Sequence, residues 1–265
     1  MTKRIAVVGC GWLGLPLATA MVSRGFHVYG STTSEHKIAQ LASSGITPFL
    51  VKADLGQIEG PVSKLLTNCD ILVLTIPPGK SGANYPETIR NLANLAKQAG
   101  ISEIIFTSSI SVYPEADSIY TESDKIDDIK SPTPHIIAAE QVVRQLCPLS
   151  TILRLGGLVG GERHPVKFVG QKTAAHDPDA PINLVHRDDC IELILQLIEK
   201  EIKGELFNVV APYHPGRFDY YSRKARSINL PDPTFSAKTG KRGKIVSSRH
   251  IMTTMDYVFS VTSEI

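Results

Sequence analysis

The sequence predicts an α/β protein: a doubly wound parallel sheet of about seven strands with a small C-terminal substrate lobe. Three observations lead there. Short apolar runs alternate with segments of helical periodicity from Arg4 onward. Several of the helical segments stop at a glycine: Gly25, Gly45 and Gly100. The first apolar run leads directly into Gly9-Cys10-Gly11-Trp12-Leu13-Gly14, a glycine turn between a strand and a helix.

The elements follow in order. Arg4 to Val8 is apolar and closed by glycine, as a buried parallel strand should be. Leu13 to Arg24 is the first helix, and Phe26 to Gly30 the second strand. Lys37 to Ser43 reads as a helix and Pro48 to Lys52 as the third strand. Ile71 to Ile76 is the fourth strand, stopped by Pro77-Pro78. Pro86 to Gln98 is a long amphipathic helix, and Glu103 to Ser108 the fifth strand. A helix over Thr133 to Leu146 leads to the sixth strand, Thr151 to Leu155; a helix over Asp188 to Ile202 leads to the seventh, Leu206 to Val210. The chain reads as a single nucleotide-binding domain over 1–265, with a core of about 1–155 plus the last two strands and a lobe drawn from 156–265. The last residues, Thr253 to Ile265, read as a loose end.

Composition excludes several classes. The formal net charge of +2 gives no reason to expect nucleic acid or an anionic membrane as partner. The one basic stretch, Lys241-Arg242-Gly243-Lys244, is short and reads as a solvated loop. No apolar run approaches the roughly 18 residues of a membrane span, and no signal peptide precedes the first strand. Cys10, Cys69, Cys147 and Cys190 form no CxxC pair and read as reduced thiols, so a cytoplasmic protein is expected. The histidines, cysteines and acids show no metal-ligand spacing.

The glycine turn carries the first functional expectation. Gly9 allows the tight turn, Gly11 lets a pyrophosphate approach the backbone, and Gly14 lets helix and strand pack closely. The helix start supplies N–H groups and a positive dipole end to the phosphates, with Trp12 and Leu13 beside them. This is the Rossmann-type arrangement for a nicotinamide dinucleotide. The second strand ends in Ser31-Thr32-Thr33-Ser34-Glu35-His36-Lys37, with no acid at its tip to take the ribose hydroxyls. Ser31, Thr32, Thr33 and Ser34 suit a 2′-phosphate, with His36 or Lys37 adding charge, so NADP is expected, with NAD as the alternative. Ser34 is read alternatively as a cap for the next helix.

Further segments resemble the extended short-chain dehydrogenase/reductase superfamily, the group of the NAD-dependent epimerase/dehydratases. Asp54-Leu55 is similar to the family's pair against the adenine, and Ile76 and Pro77, at the fourth strand's exit, are placed with the cofactor residues. Thr107-Ser108-Ser109-Ile110-Ser111-Val112-Tyr113 resembles the segment that carries the family's catalytic serine, here Ser109. Leu153-Arg154-Leu155 with the glycines that follow, Asn183 to Asp189, and Phe207-Asn208-Val209-Val210 resemble three later segments. The departure lies in the helix that should hold Tyr-x-x-x-Lys. If Glu140 is the family's glutamate, Pro132 stands where the tyrosine belongs and Ile136 where the lysine belongs. The chain is therefore closer to the atypical branch of the superfamily.

Without the tyrosine and lysine, the remaining catalytic candidates are Ser109, His135 and Tyr113; His135 reads more readily as a surface or cap residue at a proline-rich helix start. A serine hydroxyl can hydrogen-bond a carbonyl but is a poor acid alone, and imidazole ordinarily exchanges protons near neutral pH. Tyr113 has the right chemistry, although the resemblance gives that position a packing role. Arg163 and His186, on loops of the lobe, are the substrate-binding candidates; His186 reads equally as a structural histidine. Asp188-Asp189 reads as a helix start, and Glu122, Asp124, Asp127 and Asp128 as a solvated acidic loop. The expectation is an NAD(P)-dependent oxidoreductase acting on a small polar molecule, as monomer or homodimer. The alternatives are an NADP(H)-binding sensor with little turnover and a nucleotide-sugar epimerase or dehydratase.

Overall fold

The computed structural model describes residues 2–79, 82–126, 130–166, 177–235 and 243–260. Asp127, Asp128, Lys241, Arg242 and positions 261–265 lie outside these residues. The main sheet has seven strands: β1 (Arg4–Val8), β2 (His27–Thr32), β3 (Thr47–Leu50), β4 (Ile71–Leu74), β5 (Glu103–Ser109), β6 (Thr151–Leu155) and β7 (Leu206–Val209). Their order is β7-β6-β5-β4-β1-β2-β3. The chain winds outward from β1 through β2 to β3, then returns to the other side of β1 for β4. The strand order therefore reverses between β1 and β4, where doubly wound sheets bind ligands.

Helices α1 (Gly14–Ser23), α2 (Ile38–Ser43), α3 (Val62–Leu66), α4 (Tyr85–Gln98), α5 (Pro134–Leu146) and α6 (Arg187–Glu199) alternate with the strands. The central strands are apolar along their whole length because both faces are covered: all four residues of β4 are buried. On one face Ile89, Leu92, Ala93 and Ala96 of α4 join Ala139, Val142 and Val143 of α5 and Leu72 and Leu74 of β4 in one core. None of the described helices is long and apolar enough to cross a membrane.

The contacts divide the chain into two compact units. The first comprises Met1–Val112, Thr133–Leu153 and Ile194–Leu206; the second comprises Tyr113–Pro132, Arg154–Leu193 and Phe207–Ile265. The second unit holds two short parallel pairs, Gly157–Val159 with Leu184–His186 and Ile119–Tyr120 with Ile245–Val246. It also holds α7 (Arg217–Arg226) and α8 (Arg249–Met255). Asn183 fastens it internally, donating to the Lys244 carbonyl and accepting from the Val246 N–H.

Four readings of the sequence are corrected. The third strand stops at Leu50, and Lys52–Asp54 turns back on Gln57–Glu59 as an antiparallel hairpin. The fourth ends at Leu74, short of Ile76. The expected loose end is ordered as far as it is described: Thr253 lies in α8, and Tyr257 and Phe259 are buried. Asp189, itself buried, accepts the Tyr257 hydroxyl at 2.7 Å and both N–H and hydroxyl of Ser260 at 2.9 Å. Finally, Glu122 is no solvated acid: its Oε1 accepts the Asn208 N–H at 2.6 Å, while the Ser248 hydroxyl accepts the Val210 N–H at 2.7 Å.

Candidate dinucleotide site

At the β1 exit the three glycines meet different demands. Gly9 has φ +107°, and a Cβ there would lie 2.8 Å from Ile76 Cγ2. A Cβ on Gly14 would lie 2.2 Å from the Gly9 carbonyl oxygen and 2.6 Å from Thr75 Oγ1. Both are required by the protein's own packing. A Cβ on Gly11 would meet nothing nearer than 3.9 Å. Its surface faces open space at the head of α1, whose first turn has no acidic residue and no capping side chain. The residues thus fit a pyrophosphate: a bare backbone approach beside helical N–H groups left without a side-chain partner.

The turn is held from two sides. Gly9 N–H donates to Ser31 Oγ and Cys10 N–H to the Ser31 carbonyl, both at 2.9 Å. Thr75 Oγ1 donates to the Gly9 carbonyl at 2.8 Å. Cys10 fills the space beside Gly30, where a Cβ would lie 2.8 Å from its sulfur, and burial pushes its thiol up to about 12. Leu13 is buried behind the turn and Trp12 half-buried.

The β2 tip changes two expectations. Ser31 is buried and its oxygen serves the glycine turn; Thr32 is buried and its oxygen accepts the Ser34 N–H at 3.2 Å. Neither presents its hydroxyl at the surface for a 2′-phosphate. Thr33, Glu35 and His36 are exposed and Ser34 and Lys37 half-buried, so these are the groups the tip offers outward. Ser34 makes no side-chain cap to the following helical turn.

A cavity of about 360 Å³ opens beside the turn. The structure brings Asp54 and Leu55 together with Ile76 and Pro77 in its walls, and adds Pro78, Gly79, Asn84, Tyr85 and Thr88. Tyr85 anchors the far wall by donating to the Ile76 carbonyl at 3.0 Å. Burial, and then the nearby Glu140 carboxylate, raise the Tyr85 pKa. Thr75, Tyr85 and Thr88 were not singled out from the sequence. For Thr88 a signal existed: it is a hydroxyl on the buried face of an amphipathic helix.

Residues 9–201 match the NAD(P)H-binding family. The chain belongs to that family. Protein YeeZ of Escherichia coli K12 is 34% identical over 264 residues, covering 97% of this chain and 96% of its own. Among solved structures, UDP-glucuronic acid 4-epimerase from Bacillus cereus in complex with NAD is 20% identical, with a TM-score of 0.80 over 99% of this chain and 95% of that one. A short-chain dehydrogenase/reductase superfamily protein from Agrobacterium tumefaciens with bound NAD is 16% identical, with a TM-score of 0.76 over 98% and 93%. These likenesses show the fold alone. Membership gives NAD(P) as the class of cofactor.

The expected catalytic residues of the first unit are Ser109 and His135. Ser109, at the end of β5, is half-buried, and its oxygen accepts the Ser111 N–H at 3.1 Å. Its neighbour Ser108 donates to buried Glu140 at 2.5 Å. His135 is the second residue of α5, half-buried, with its ring against Gly82: a Cβ there would lie 2.7 Å from Nε2. Pro132 precedes α5 and is exposed, whereas Ile136 is buried. The positions where the resemblance would place a tyrosine and a lysine thus hold a proline and a buried isoleucine.

In the second unit, Tyr113 is corrected. It is fully buried, stacked on Tyr120, with its hydroxyl 3.1 Å from the Thr121 carbonyl and 2.9 Å from Asn208 Oδ1. Arg154 donates to that hydroxyl at 2.9 Å. Burial raises the Tyr113 pKa, against the lowering effect of Arg154. Tyr113 therefore holds the unit together and has no hydroxyl to give a substrate. His186 is likewise corrected: it is buried, Nδ1 accepts the Asp188 N–H at 3.2 Å, and its ring lies against Gly160. Arg163 is half-buried beside that same turn, its N–H bonded to the Gly160 carbonyl at 3.2 Å.

Proposed function

We propose that this protein is an NADPH-preferring oxidoreductase of the atypical short-chain type, acting on a small polar substrate at Ser109. One observation carries the reading. The backbone at Gly11 is kept open as for a pyrophosphate, while the usual tyrosine and lysine places hold Pro132 and buried Ile136. When bound, the reduced cofactor supplies a hydride. Ser109 receives the Ser111 N–H on its oxygen, so its own proton remains to donate to a substrate carbonyl. His135 stands on α5 beside Ile136, which takes the lysine place, and delivers the proton. The NADPH preference rests on the β2 tip, with Thr33, Ser34, His36 and Lys37 outward and no acid before Glu35.

The loss of the tyrosine and lysine also favours a second reading, a sensor that reports NADP(H) occupancy with little turnover. It argues against carrying over the sugar-nucleotide chemistry named for the Bacillus cereus enzyme. Fluorescence titration with NADPH and NADH tests the cofactor; equal affinity, or tighter NADH, refutes the preference. Once a carbonyl substrate is found, Ser109→Ala should lower turnover about 10²–10⁴-fold. A loss below tenfold removes Ser109 from the chemistry.

A further inference from the structure

The hairpin that follows β3 is gripped by α4. Lys52–Asp54 and Gln57–Glu59 pair antiparallel, in the register Asp54↔Gln57, and are joined by Leu55 and Gly56. Both joining residues have positive φ, +51° and +78°. This is the primed two-residue turn that matches strand twist, here with a leucine in the left-handed region. Something must hold Leu55 there. Asp54 Oδ1 accepts the Leu55 N–H at 2.9 Å. Beyond it, the whole Gly56 peptide is held by one face of α4. Its N–H donates to Thr88 Oγ1 at 2.9 Å, and its carbonyl accepts Asn91 Nδ2 at 2.8 Å. Thr88 and Asn91 are three residues apart on the helix, so both reach the same turn.

The consequence lies in what the turn carries. Ala53, Asp54 and Leu55 line the 360 Å³ cavity from the hairpin, and Ile76 to Gly79 line it from the segment after β4. Leu55 is 64% exposed, a large apolar side chain left facing water. A flat, largely apolar base between the two segments would cover it.

We infer that Thr88 and Asn91 are positioning residues, which set the separation of these segments and thereby the affinity for the adenine half of the cofactor. The inference rests on the proposed dinucleotide reading and names what holds the base side of that site. It also gives the strained Leu55 a purpose: the backbone stays in the left-handed region because α4 holds it, and the side chain is thereby presented to the ligand.

Calorimetry on the whole protein tests this, with ADP-ribose and NADPH as the two probes. Wild type should bind both; if it binds neither, the dinucleotide reading itself fails. Asn91→Leu and Thr88→Val should each weaken ADP-ribose about three- to tenfold, as expected for one lost hydrogen bond. The loss for NADPH should be no larger than that for ADP-ribose. Thr88→Ser, which keeps the hydroxyl, should bind as wild type. Asn91 is half-buried, so Asn91→Leu should fold even where Thr88→Val does not. Folded variants that bind ADP-ribose within twofold of wild type, or that lose NADPH affinity alone, overturn the inference.

Discussion

The three glycines of the first turn should separate into two that serve the fold and one that serves the ligand. In Gly14→Ala the new methyl would lie 2.2 Å from the Gly9 carbonyl oxygen. Overpacking costs about 1–3 kcal/mol, and a clash this close to a backbone oxygen lies in the upper part of that range, about 2–3 kcal/mol, offset by about 1 kcal/mol of helix propensity. The net loss of about 1–2 kcal/mol should lower Tm by roughly 2–8 °C for a chain of this size. In Gly11→Val nothing lies within 3.9 Å of the new Cβ, and unliganded stability should change by less than about 1 kcal/mol. Ligand binding should respond in the opposite order. NADPH at a hundred times Kd stabilises wild type by about 2.7 kcal/mol, a rise of roughly 5–11 °C. A tenfold weaker complex would keep about 1.4 kcal/mol of that, and a blocked one none. Thermal melts with and without NADPH, with calorimetry alongside, provide the assay. A folded Gly11→Val protein with the full NADPH shift would falsify the pyrophosphate assignment. A Gly14→Ala protein as stable as wild type would refute the packing argument.

Restoring the motif by Pro132→Tyr and Ile136→Lys should not create an efficient dehydrogenase, because position 132 precedes α5 and position 136 is buried where a lysine's charge is disfavoured; turnover near that of a typical reductase would refute this. Tyr113→Phe removes the oxygen to which buried Arg154 donates and should cost about 1–3 kcal/mol in urea unfolding, with NADPH affinity unchanged; an unaltered midpoint would show that the hydroxyl is dispensable. Burial lowers the His214 pKa in the folded protein, against the raising effect of its bond to the Ile182 carbonyl. The unfolded chain then binds the proton first, so stability present above about pH 6.5 should be lost as pH falls through that value toward the depressed one. His214→Gln should flatten this part of the curve, and equal slopes between pH 7.5 and 5 in both proteins would contradict the sign.

The main sheet was legible because its strands are buried on both faces. β4 reads as an unbroken apolar run before Pro77-Pro78, and β1 as an apolar run closed by Gly9. The short pieces were not legible for a complementary reason. Lys52–Asp54 and Gln57–Glu59 are three residues each, too brief for any periodicity, and their turn is Leu-Gly where Asn-Gly would have announced a hairpin. The glycine turn could be recognised from its spacing between a strand and a helix, where Gly9 and Gly14 answer local steric demands. The roles of Tyr113, His186 and Glu122 could not. Each is a polar side chain near the expected active segments, and only the partners at hydrogen-bond distance reveal that it closes an internal network. Ser31 illustrates the same limit: a hydroxyl at a strand tip looks available to a ligand until the Gly9 N–H is found on it.

The side chains of Glu122 and Ser248 have a meaning beyond the second unit's own cohesion. β7 is the last strand of the sheet, and its outward N–H groups would ordinarily invite a strand from another molecule. Those of Asn208 and Val210 are already taken, one by a carboxylate and one by a hydroxyl. An incoming strand would have to displace both and leave the half-buried Glu122 carboxylate without its donor. This margin of the molecule is sealed against edge-to-edge growth, so a second copy of the chain would have to associate through side-chain surfaces rather than by prolonging the sheet at β7.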